Sequence, residues 1–352
     1  MSLNLILNYL GLSAAISIAF NYIFRNIAKN NKILIDLPDK SRKFHKRATP
    51  LTGGIAIMTS ILVSGNIYLN INVLDGFIPN FSYQMVIASI ALVIFFLIED
   101  SIELKPRYRI IAQVLLASYI IFTTDVKLNS FGNLMGFGDF SLGIYSIPIT
   151  IFCVVGLMNA FNMIDGINGL CSGFAMVMLL FAGFYSNIIF DSLLVFVIGG
   201  LIGFLVFNLR IFGKKRAVFL GDHGSNLIGF WVAWMAIFLS QNYYQSFNPI
   251  TMIWLVAIPL LDCIGLIISR ISKGQSWAAA DRDHIHHKIM NFYSPESALS
   301  ILLLFASTLS IIGIILDIYF KEYISFYLFI IFALAYYGIF FKVLKNKEEK
   351  DV

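Results

Sequence analysis

Charged side chains are scarce in this sequence of 352 residues. Asp, Glu, Lys and Arg make up 13% of the chain, against 59% for hydrophobic residues, and the mean hydropathy is +0.82. A chain of this length with so little polar surface cannot coat a water-soluble globule. The composition therefore predicts that most of the protein surface faces lipid.

Patterns typical of other architectures are also missing. The long runs of Leu, Ile and Phe lack the period-two alternation that a transmembrane β-barrel needs. Cys153, Cys171 and Cys263 stand in apolar segments without CxxC spacing, so neither a disulfide framework nor a zinc site is indicated. The first residues lack a basic segment and a small-residue cleavage site, so we expect a retained first span rather than a signal peptide.

Eleven apolar stretches predict an all-α polytopic membrane protein. They lie near residues 3–24, 53–72, 84–98, 108–124, 144–161, 172–188, 191–208, 218–240, 250–269, 297–317 and 323–342. Each is a candidate helical span, and its boundaries are predicted to within several residues. No internal repeat or separate polar domain is visible. We predict a single membrane-embedded domain over residues 1–352, with a short charged tail at residues 343–352.

The cations of the chain collect on one side of this layout. With 11 spans the two termini lie on opposite sides, so alternate loops share a side with the C-terminal tail. These loops and the tail hold 23 of the 25 Lys and Arg residues, and only Lys127 and Lys321 fall on the other side. The positive-inside rule places the C-terminus in the cytoplasm and the N-terminus outside. We expect a multi-pass protein of the plasma (inner) membrane.

Five polar clusters fall on the cytoplasmic side, although polar groups are costly beside hydrocarbon. The first spans residues 36–54 and contains two carboxylates, several cations and two glycines: Asp36, Asp39, Arg42, Lys43, His45, Lys46, Arg47, Gly53 and Gly54. Positive-inside anchoring explains the cations. They also suit phosphate binding at a helix N-terminus, with glycines that let backbone approach a ligand. The sequence leaves both interpretations open.

A second cluster closes the third apolar stretch. Glu99 and Asp100 are followed by Glu103, and Arg107 and Arg109 open the next stretch. On a helix Asp100 and Glu103 share a face, a geometry suited to a metal or to proton abstraction. The alternative is an interfacial charge cluster paired with the two arginines. Two acids directly at a span end favour a functional role.

The third cluster is the most informative. Asn159, Asn162, Asp165 and Asn168 recur every three residues at the end of an apolar helix, so they could line one stripe. The glycines that follow Asp165 suggest that the helix ends there. Stripes of asparagine also form hydrogen bonds between helices of a bundle. Such bonding does not explain the neighbouring carboxylate and glycines.

The fourth cluster places Asp222 between two glycines just before an apolar helix, with three cations upstream at residues 214–216. A hard oxygen ligand beside cations that attract phosphate is typical of Mg²⁺-nucleotide sites. Asp222 also suits the N-cap of that helix. The two roles are compatible.

The fifth cluster, residues 281–288, holds three of the five histidines: His284, His286 and His287. Zinc binding is a minor alternative, because no Cys and no paired HxxxH helix accompany them. Hydrogen bonding to a diphosphate fits the neighbouring cations better. Asp262, inside the ninth stretch, suits helix packing as well as function, so it is left outside the predicted site.

In order along the chain, from Asp36 to about Met290, these motifs resemble the polyprenyl-phosphate N-acetylhexosamine-1-phosphate transferase family of the WecA, TagO and MraY types. Glu99-Asp100 takes the position of the family's paired acids. The run Asn-Ala-Phe-Asn-Met-Ile-Asp-Gly-Ile-Asn-Gly from residue 159 is close to the WecA-type signature. Gly-Asp-His-Gly-Ser matches the motif Gly-Asp-x-Gly-Ser, and His-Ile-His-His completes the set. The resemblance is strongest to the WecA-like branch.

The resemblance implies a reaction in which the phosphate of a membrane polyprenol attacks the β-phosphorus of a UDP-activated amino sugar. The products would be a polyprenyl-diphospho-sugar, which starts a cell-envelope glycan, and UMP. The expected donor is UDP-GlcNAc or a related N-acetylated sugar. The partners would be this lipid, the UDP-sugar and the membrane, with no nucleic acid and with a homodimer left open. Mg²⁺, or Mn²⁺ in its place, would offset the charge of two polyanions.

The resemblance also implies roles for individual residues. Glu99, Asp100 and Asp165 would be catalytic, and Asn162 and Asp222 would bind the metal. Contacts to phosphate or sugar would come from Lys43, His45, Arg109, Asn168, His284, His286 and His287. Two positions depart from the family pattern, since Glu99 replaces an Asp of the acid pair and Asn168 replaces the second acid of Asp-Gly-x-Asp-Gly. Glu99 keeps a carboxylate, whereas Asn168 must act as a neutral group.

A multi-span transporter or lipid flippase is the alternative function. Intramembrane Asp and Asn residues and helices broken at glycine also mark the paths of transported substrates. Transport predicts polar residues near the bilayer midplane, whereas the acids of this sequence lie at one membrane face. The sequence therefore favours an enzyme.

Overall fold

The computed structural model describes residues 3–38, 47–71, 80–102, 104–186, 192–241, 246–276 and 283–348. Helices dominate them: α1 (Leu3–Asn31), α2 (Gly53–Ile71), α3 (Asn80–Ile102), α4 (Pro106–Thr124), α5 (Ser146–Ile164), α6 (Leu170–Tyr185), α7 (Ser192–Asn208), α8 (Asp222–Gln241), α9 (Pro249–Leu255), α10 (Ala257–Ser272), α11 (Ile285–Met290), α12 (Pro295–Tyr319) and α13 (Glu322–Glu348). Two short strands, β1 (Ile35–Asp36) and β2 (Thr49–Pro50), precede α2. The predicted all-α class is confirmed for these residues.

Local sequence determines several helix ends. Pro106 and Pro249 stand in the first turns of α4 and α9, where a backbone N–H would have no partner within the helix. Ser294 caps α12, because its hydroxyl accepts the backbone N–H of Ser297 at 3.2 Å. Helix α4 ends where Asp125 adopts a left-handed conformation with φ of 56°. Short-range chemistry thus accounts for these boundaries.

Six helical segments of the described chain are long and apolar enough to cross a membrane, namely those in α1, α2, α3, α5, α12 and α13. Helices α9 and α10 meet at a bend of 81° and make a seventh candidate if they form one span. Helices α6 and α7 are apolar but shorter. Each of the 11 predicted stretches overlaps a helix or the bent pair. The chain is an integral membrane protein, while the count of 11 spans and the orientation stay predictions.

Helix α8 lies at the centre of the bundle. It packs against α2, α3, α5 and α6, and most of its residues are buried. Aromatic rings fill this interior: Phe81 and Phe238 stack with ring centroids 4.5 Å apart, and Trp234 is fully buried. Because α8 is surrounded on all sides, its N-terminal residue Asp222 has a fixed position relative to its neighbours.

Hydroxyl side chains join α1 to α7. The Oγ atoms of Ser13 and Ser17 donate to the backbone carbonyls of Phe196 and Gly200, both at 2.8 Å. Such bonds and close packing of small residues hold helices together in lipid, where apolar surfaces gain little from contact with one another. Helix α2 packs against both α1 and α7. These three helices form a stable side of the bundle.

The segment after β2 is bonded to the residues that precede α8. The backbone N–H groups of Gly53 and Gly54 donate to the carbonyls of Phe219 at 3.0 Å and Leu220 at 3.1 Å. A Cβ atom on Gly54 would lie 2.5 Å from the Cα atom of Gly224, so only glycine lets α2 and α8 meet this closely. The sequence suggested that these glycines approach a ligand, whereas the close approach of Gly54 is to α8.

Candidate active site

A cavity of about 890 Å³ opens where the C-terminal ends of α3 and α5 meet the N-terminal ends of α4, α8 and α12. Its polar wall residues are Asp36, Glu99, Asp100, Arg109, Asp165, Asn168, Asn208, Arg210, Asp222, His287 and Glu296. Each of the five polar clusters that the sequence singled out contributes at least one of them. Residues as far apart in the chain as Asp36 and Glu296 therefore share one cavity.

Three carboxylates gather at one side of the cavity. Single oxygen atoms of Glu99, Asp100 and Asp222 all lie within 4.8 Å of one another. Arg109 joins two of them: its Nε donates to Oε1 of Glu99 at 2.8 Å, and its Nη1 lies 2.8 Å from Oδ2 of Asp222. Glu99 is buried, whereas about a third of the Asp222 side chain is exposed. A guanidinium thus offsets part of the negative charge that this cluster collects.

Asp100 has a histidine partner. Its Oδ2 atom lies 2.8 Å from Nδ1 of His223, which is fully buried and directly follows Asp222. The pair links the end of α3 to the first turn of α8. His223 belongs to the Gly-Asp-His-Gly-Ser motif, from which no role was predicted for it. Its position directly after Asp222, a predicted metal ligand, could have suggested a supporting role for it.

The first two asparagines of the three-residue ladder bond to neighbouring helices. Asn159 Nδ2 donates to Oε1 of Gln113 at 2.8 Å, and Gln113 Nε2 donates to Oδ1 of Asn226 at 2.7 Å. The Oδ1 atom of Asn162 accepts the hydroxyl of Ser225 at 2.7 Å. These bonds connect α4, α5 and α8, and none of the residues that form them lines the cavity. The interhelical role that the sequence left open therefore applies to both asparagines.

The last two ladder residues line the cavity. Helix α5 ends at Ile164, as predicted, and Asp165 begins a turn that finishes at Gly169 with φ of 82°. Asp165 is exposed at the cavity wall, so its carboxyl is reachable from the cavity. Desolvation by the protein around the cavity, together with the charge of Asp222, raises the pKa of Asp165 to about 7. Asn168 lies three residues further along the same wall.

The three histidines of the fifth cluster pack as a group, but only His287 is in the cavity wall. The ring centroids of His284 and His286 are 5.3 Å apart, and those of His286 and His287 are 4.1 Å apart. His286 is fully buried, and a Cβ atom on Gly166 would lie 2.0 Å from its Nε2 atom. Burial and the two neighbouring imidazoles lower the pKa of His286 well below its usual value, so this ring is neutral.

Two residues with clear structural roles were missed or set aside by the sequence analysis. Asp262 accepts hydrogen bonds at the start of α11, and an acid inside an apolar stretch was its signal. Asn208 accepts the N–H of Gly169 at 2.6 Å and donates to the carbonyl of Val218 at 3.0 Å. It thereby ties the turn after α5 to the segment before α8. Its position as a polar residue at the end of an apolar stretch was the signal in the sequence that could have identified it.

Part of the first cluster cannot be placed in this cavity. Lys43 and His45, two predicted phosphate contacts, lie outside the described residues, as do Asp39, Arg42 and Lys46. Asp36 is described and lines the cavity from the end of β1. The strand pair therefore brings the beginning of this cationic loop to the site.

The carboxylate cluster can hold a metal ion. Carboxylate oxygens are the ligands that hard divalent cations prefer, and Glu99, Asp100 and Asp222 supply three within a short reach. The second oxygen of Glu99, Oε2, is buried and has no hydrogen-bond partner among the described residues. Such an orphaned oxygen is costly unless a cation or donor occupies the site. Asn162, the other predicted ligand, stands behind this wall with its Oδ1 bonded to Ser225.

Comparison with known proteins identifies relatives of the chain. Residues 82–240 match the family model described as Glycosyl transferase family 4. An undecaprenyl-phosphate alpha-N-acetylglucosaminyl 1-phosphate transferase from Salmonella typhi is 33% identical over 313 residues, which cover 86% of this chain and 83% of that protein. Proteins of the same description from Escherichia coli (strain K12) and Haemophilus influenzae are each 31% identical, over 91% and 87% of this chain and 86% of each relative.

Proposed function

The chain belongs to glycosyl transferase family 4, and from this premise we propose that it transfers a sugar 1-phosphate from a UDP-sugar to a polyprenyl phosphate. The family resemblance expected from the motifs is confirmed. The proposed donor is UDP-GlcNAc or a related N-acetylated amino sugar, by analogy with the relatives' names. The observation that carries the proposal is the meeting of all five polar clusters in one cavity of a membrane protein.

The reaction exchanges one phosphorus–oxygen bond for another. A phosphate oxygen of the lipid forms a bond to the β-phosphorus of the UDP-sugar, and the bond from that phosphorus to the bridging oxygen breaks. The bridging oxygen and its electron pair leave with UMP. Two polyanions must approach each other, so catalysis consists largely of holding them in line and stabilising the charge that develops on UMP.

The carboxylate cluster, through a bound metal ion, and Arg109 would stabilise this negative charge. Mg²⁺ held at Asp222 by the carboxylate cluster would supply a positive centre for the diphosphate. Asn162, the second ligand predicted from the sequence, would have to release the Ser225 hydroxyl to join it. Asp100, which is held by His223, would help to place the lipid phosphate. Glu99 would position Arg109, whose guanidinium can turn from carboxylates to phosphate oxygens because about a third of it is exposed.

Asp165 has a pKa suited to proton transfer near neutral pH. A general base works best when its pKa lies close to the pH of the reaction, and that of Asp165 is raised to about 7. A phosphate monoester loses its second proton at a pKa of about 6, so little driving force is needed to remove it. We propose that Asp165 accepts this proton or, once ionised, stabilises the metal and nucleotide beside it.

The opposite wall of the cavity would bind the donor. His287 reaches the cavity and would contact the sugar or the diphosphate, while His284 and His286 support it from behind. Asn168 can donate and accept hydrogen bonds but cannot act as a base. Lys43 and His45 are proposed as further phosphate contacts from outside the described residues. The cationic side of the sequence would place this cavity at the cytoplasmic face of the inner membrane.

A transporter is not supported as the alternative. The carboxylates that line the cavity come from helix ends, from the turn after α5 and from the end of β1, and they gather at one end of the bundle. Transport sites of multi-span proteins lie near the bilayer midplane. Membership of a transferase family also favours the enzyme.

Release of UMP tests the proposed function. The full chain in detergent, with Mg²⁺ and undecaprenyl phosphate, should release UMP from at least one of a panel of UDP-amino sugars. Asp222→Ala should abolish this release, because the proposed metal ligand is removed. Asp317→Asn, at the far end of α12, is the matched control and should retain activity. No UMP from any donor would contradict the proposal.

A further inference from the structure

Asp262 is an acid that the proposed reaction does not use. It lies in the second turn of α10, after the 81° bend, and it is 1% exposed. A buried carboxylate is costly unless its oxygens have partners. Both have one: Oδ2 lies 2.7 Å from Nδ1 of His284, and Oδ1 accepts the backbone N–H of Ile285 at 2.8 Å. One side chain thus fixes both the ring and the backbone at the start of α11.

The contacts continue from His284 to the cavity. The rings of His284 and His286 are nearly parallel, with 20° between their planes. His286 fills the space above Gly166, next to Asp165, and touches His287. His287 then lines the cavity. Moving His284 would therefore move the one histidine of this cluster that reaches the cavity wall.

We propose that Asp262 is a positioning residue for donor binding, which acts through His284 to hold His287 at the cavity wall. This inference rests on the proposed function, since the donor is the UDP-sugar. A carboxylate bonded to Nδ1 keeps a proton on that nitrogen and fixes the ring's orientation, as outer partners do for the histidines of metal sites. Asp262 does not line the cavity, so its effect on the donor is indirect.

The chain offers a matched control at the other end of the bundle. Asp317, near the C-terminal end of α12, accepts the hydroxyl of Thr251 at 2.6 Å and the N–H of Asn248 at 3.2 Å. It too anchors the start of a helix, since its Oδ1 atom accepts both bonds, while its Oδ2 atom accepts the Tyr185 hydroxyl at 3.1 Å. The rise of about 1.5 Å per residue along α12 puts it roughly 30 Å from Glu296 in the cavity wall. Its loss should weaken the fold without touching the donor.

The experiment compares Asp262→Asn, His284→Gln, the double variant and Asp317→Asn in the full chain. UMP release gives KM for UDP-GlcNAc and for undecaprenyl phosphate, and the rise in Tm with UDP-GlcNAc reports donor binding without turnover. We expect Asp262→Asn to raise the donor KM about 10-fold or more and to reduce the Tm rise, while the lipid KM is unchanged. The double variant should be no worse than the poorer single variant, because both changes break one chain of contacts.

Three results would overturn the inference. In the first, Asp262→Asn has the same KM for UDP-GlcNAc and the same rise in Tm with UDP-GlcNAc as the wild type or as Asp317→Asn. The second is an equal rise in KM for both substrates, and the third is a double variant whose losses multiply. If Asp262→Asn does not fold, Asp262→Glu is measured with the same expectations. Absence of UMP release from the wild type would instead count against the proposed function.

Discussion

The guanidinium Nη1 of Arg109 lies 2.8 Å from the carboxylate Oδ2 of Asp222. Asp222 is the residue proposed to bind Mg²⁺, so a cationic side chain stands beside the position that the metal would take. The same guanidinium bonds to the buried Glu99. Arg109 and a divalent cation therefore compete for one carboxylate, unless Arg109 turns toward phosphate when substrate binds.

Arg109→Gln tests this competition. Removing one positive charge beside Asp222 should strengthen Mg²⁺ binding, which would show as a larger rise in Tm at a given low Mg²⁺ concentration. UMP release should fall by about 10-fold or more, because the phosphates lose a charge-assisted contact. Arg107→Gln is the control, since Arg107 is exposed and lies over the ring of Tyr108. Weaker Mg²⁺ binding in Arg109→Gln would contradict the account.

The pKa of Asp165 predicts a pH dependence. With a pKa of about 7, about a tenth of this carboxyl is ionised at pH 6 and about nine tenths at pH 8. Protons and divalent cations compete for the carboxylates, so the Mg²⁺-dependent rise in Tm should be larger at pH 8 than at pH 6. The lipid is omitted from this measurement, so its own phosphate does not contribute. Asp165→Asn should show a smaller difference between the two pH values than the wild type, because desolvation also raises the pKa of Asp222 and this carboxyl keeps part of the dependence.

Gly166→Ala should disrupt the histidine cluster. The new Cβ atom would lie 2.0 Å from Nε2 of His286, so the ring must move and carry His287 with it. We expect UMP release to fall by about 10-fold or more, mainly through the donor KM. Gly156→Ala on α5 is the control, because nothing lies within 4 Å of its Cβ position. Equal activity of the two variants would show that His286 does not act on the donor.

Much of the fold followed from the sequence. The apolar stretches overlap the observed helices because a run of such residues in lipid must satisfy its backbone within a helix. The end of α5 near Asp165 was predicted from the glycines that follow it. The common location of the five clusters followed from the one-sided cations, which placed their loops on one face of the membrane.

The pairings inside the site could not be predicted in the same way. Asp262 and His284 are separated by 22 residues, and their contact depends on the 81° bend between α9 and α10. Three-residue spacing placed Asn162 and Asp165 on one stripe, but the helix ends between them. Asn162 consequently bonds to Ser225 and Asp165 faces the cavity. Helix periodicity describes one helix, whereas these outcomes depend on how several helix ends meet.

The fate of the β-phosphorus of the donor tests the central claim most directly. The full chain is incubated with undecaprenyl phosphate, Mg²⁺ and UDP-GlcNAc labelled with ³²P at the β-phosphorus, and the lipid and aqueous fractions are counted. The account predicts that the label moves into the lipid and that unlabelled UMP appears in equal amount, with neither product from Asp222→Ala. Label that stays in the aqueous fraction as UDP, while the sugar enters the lipid, would contradict it.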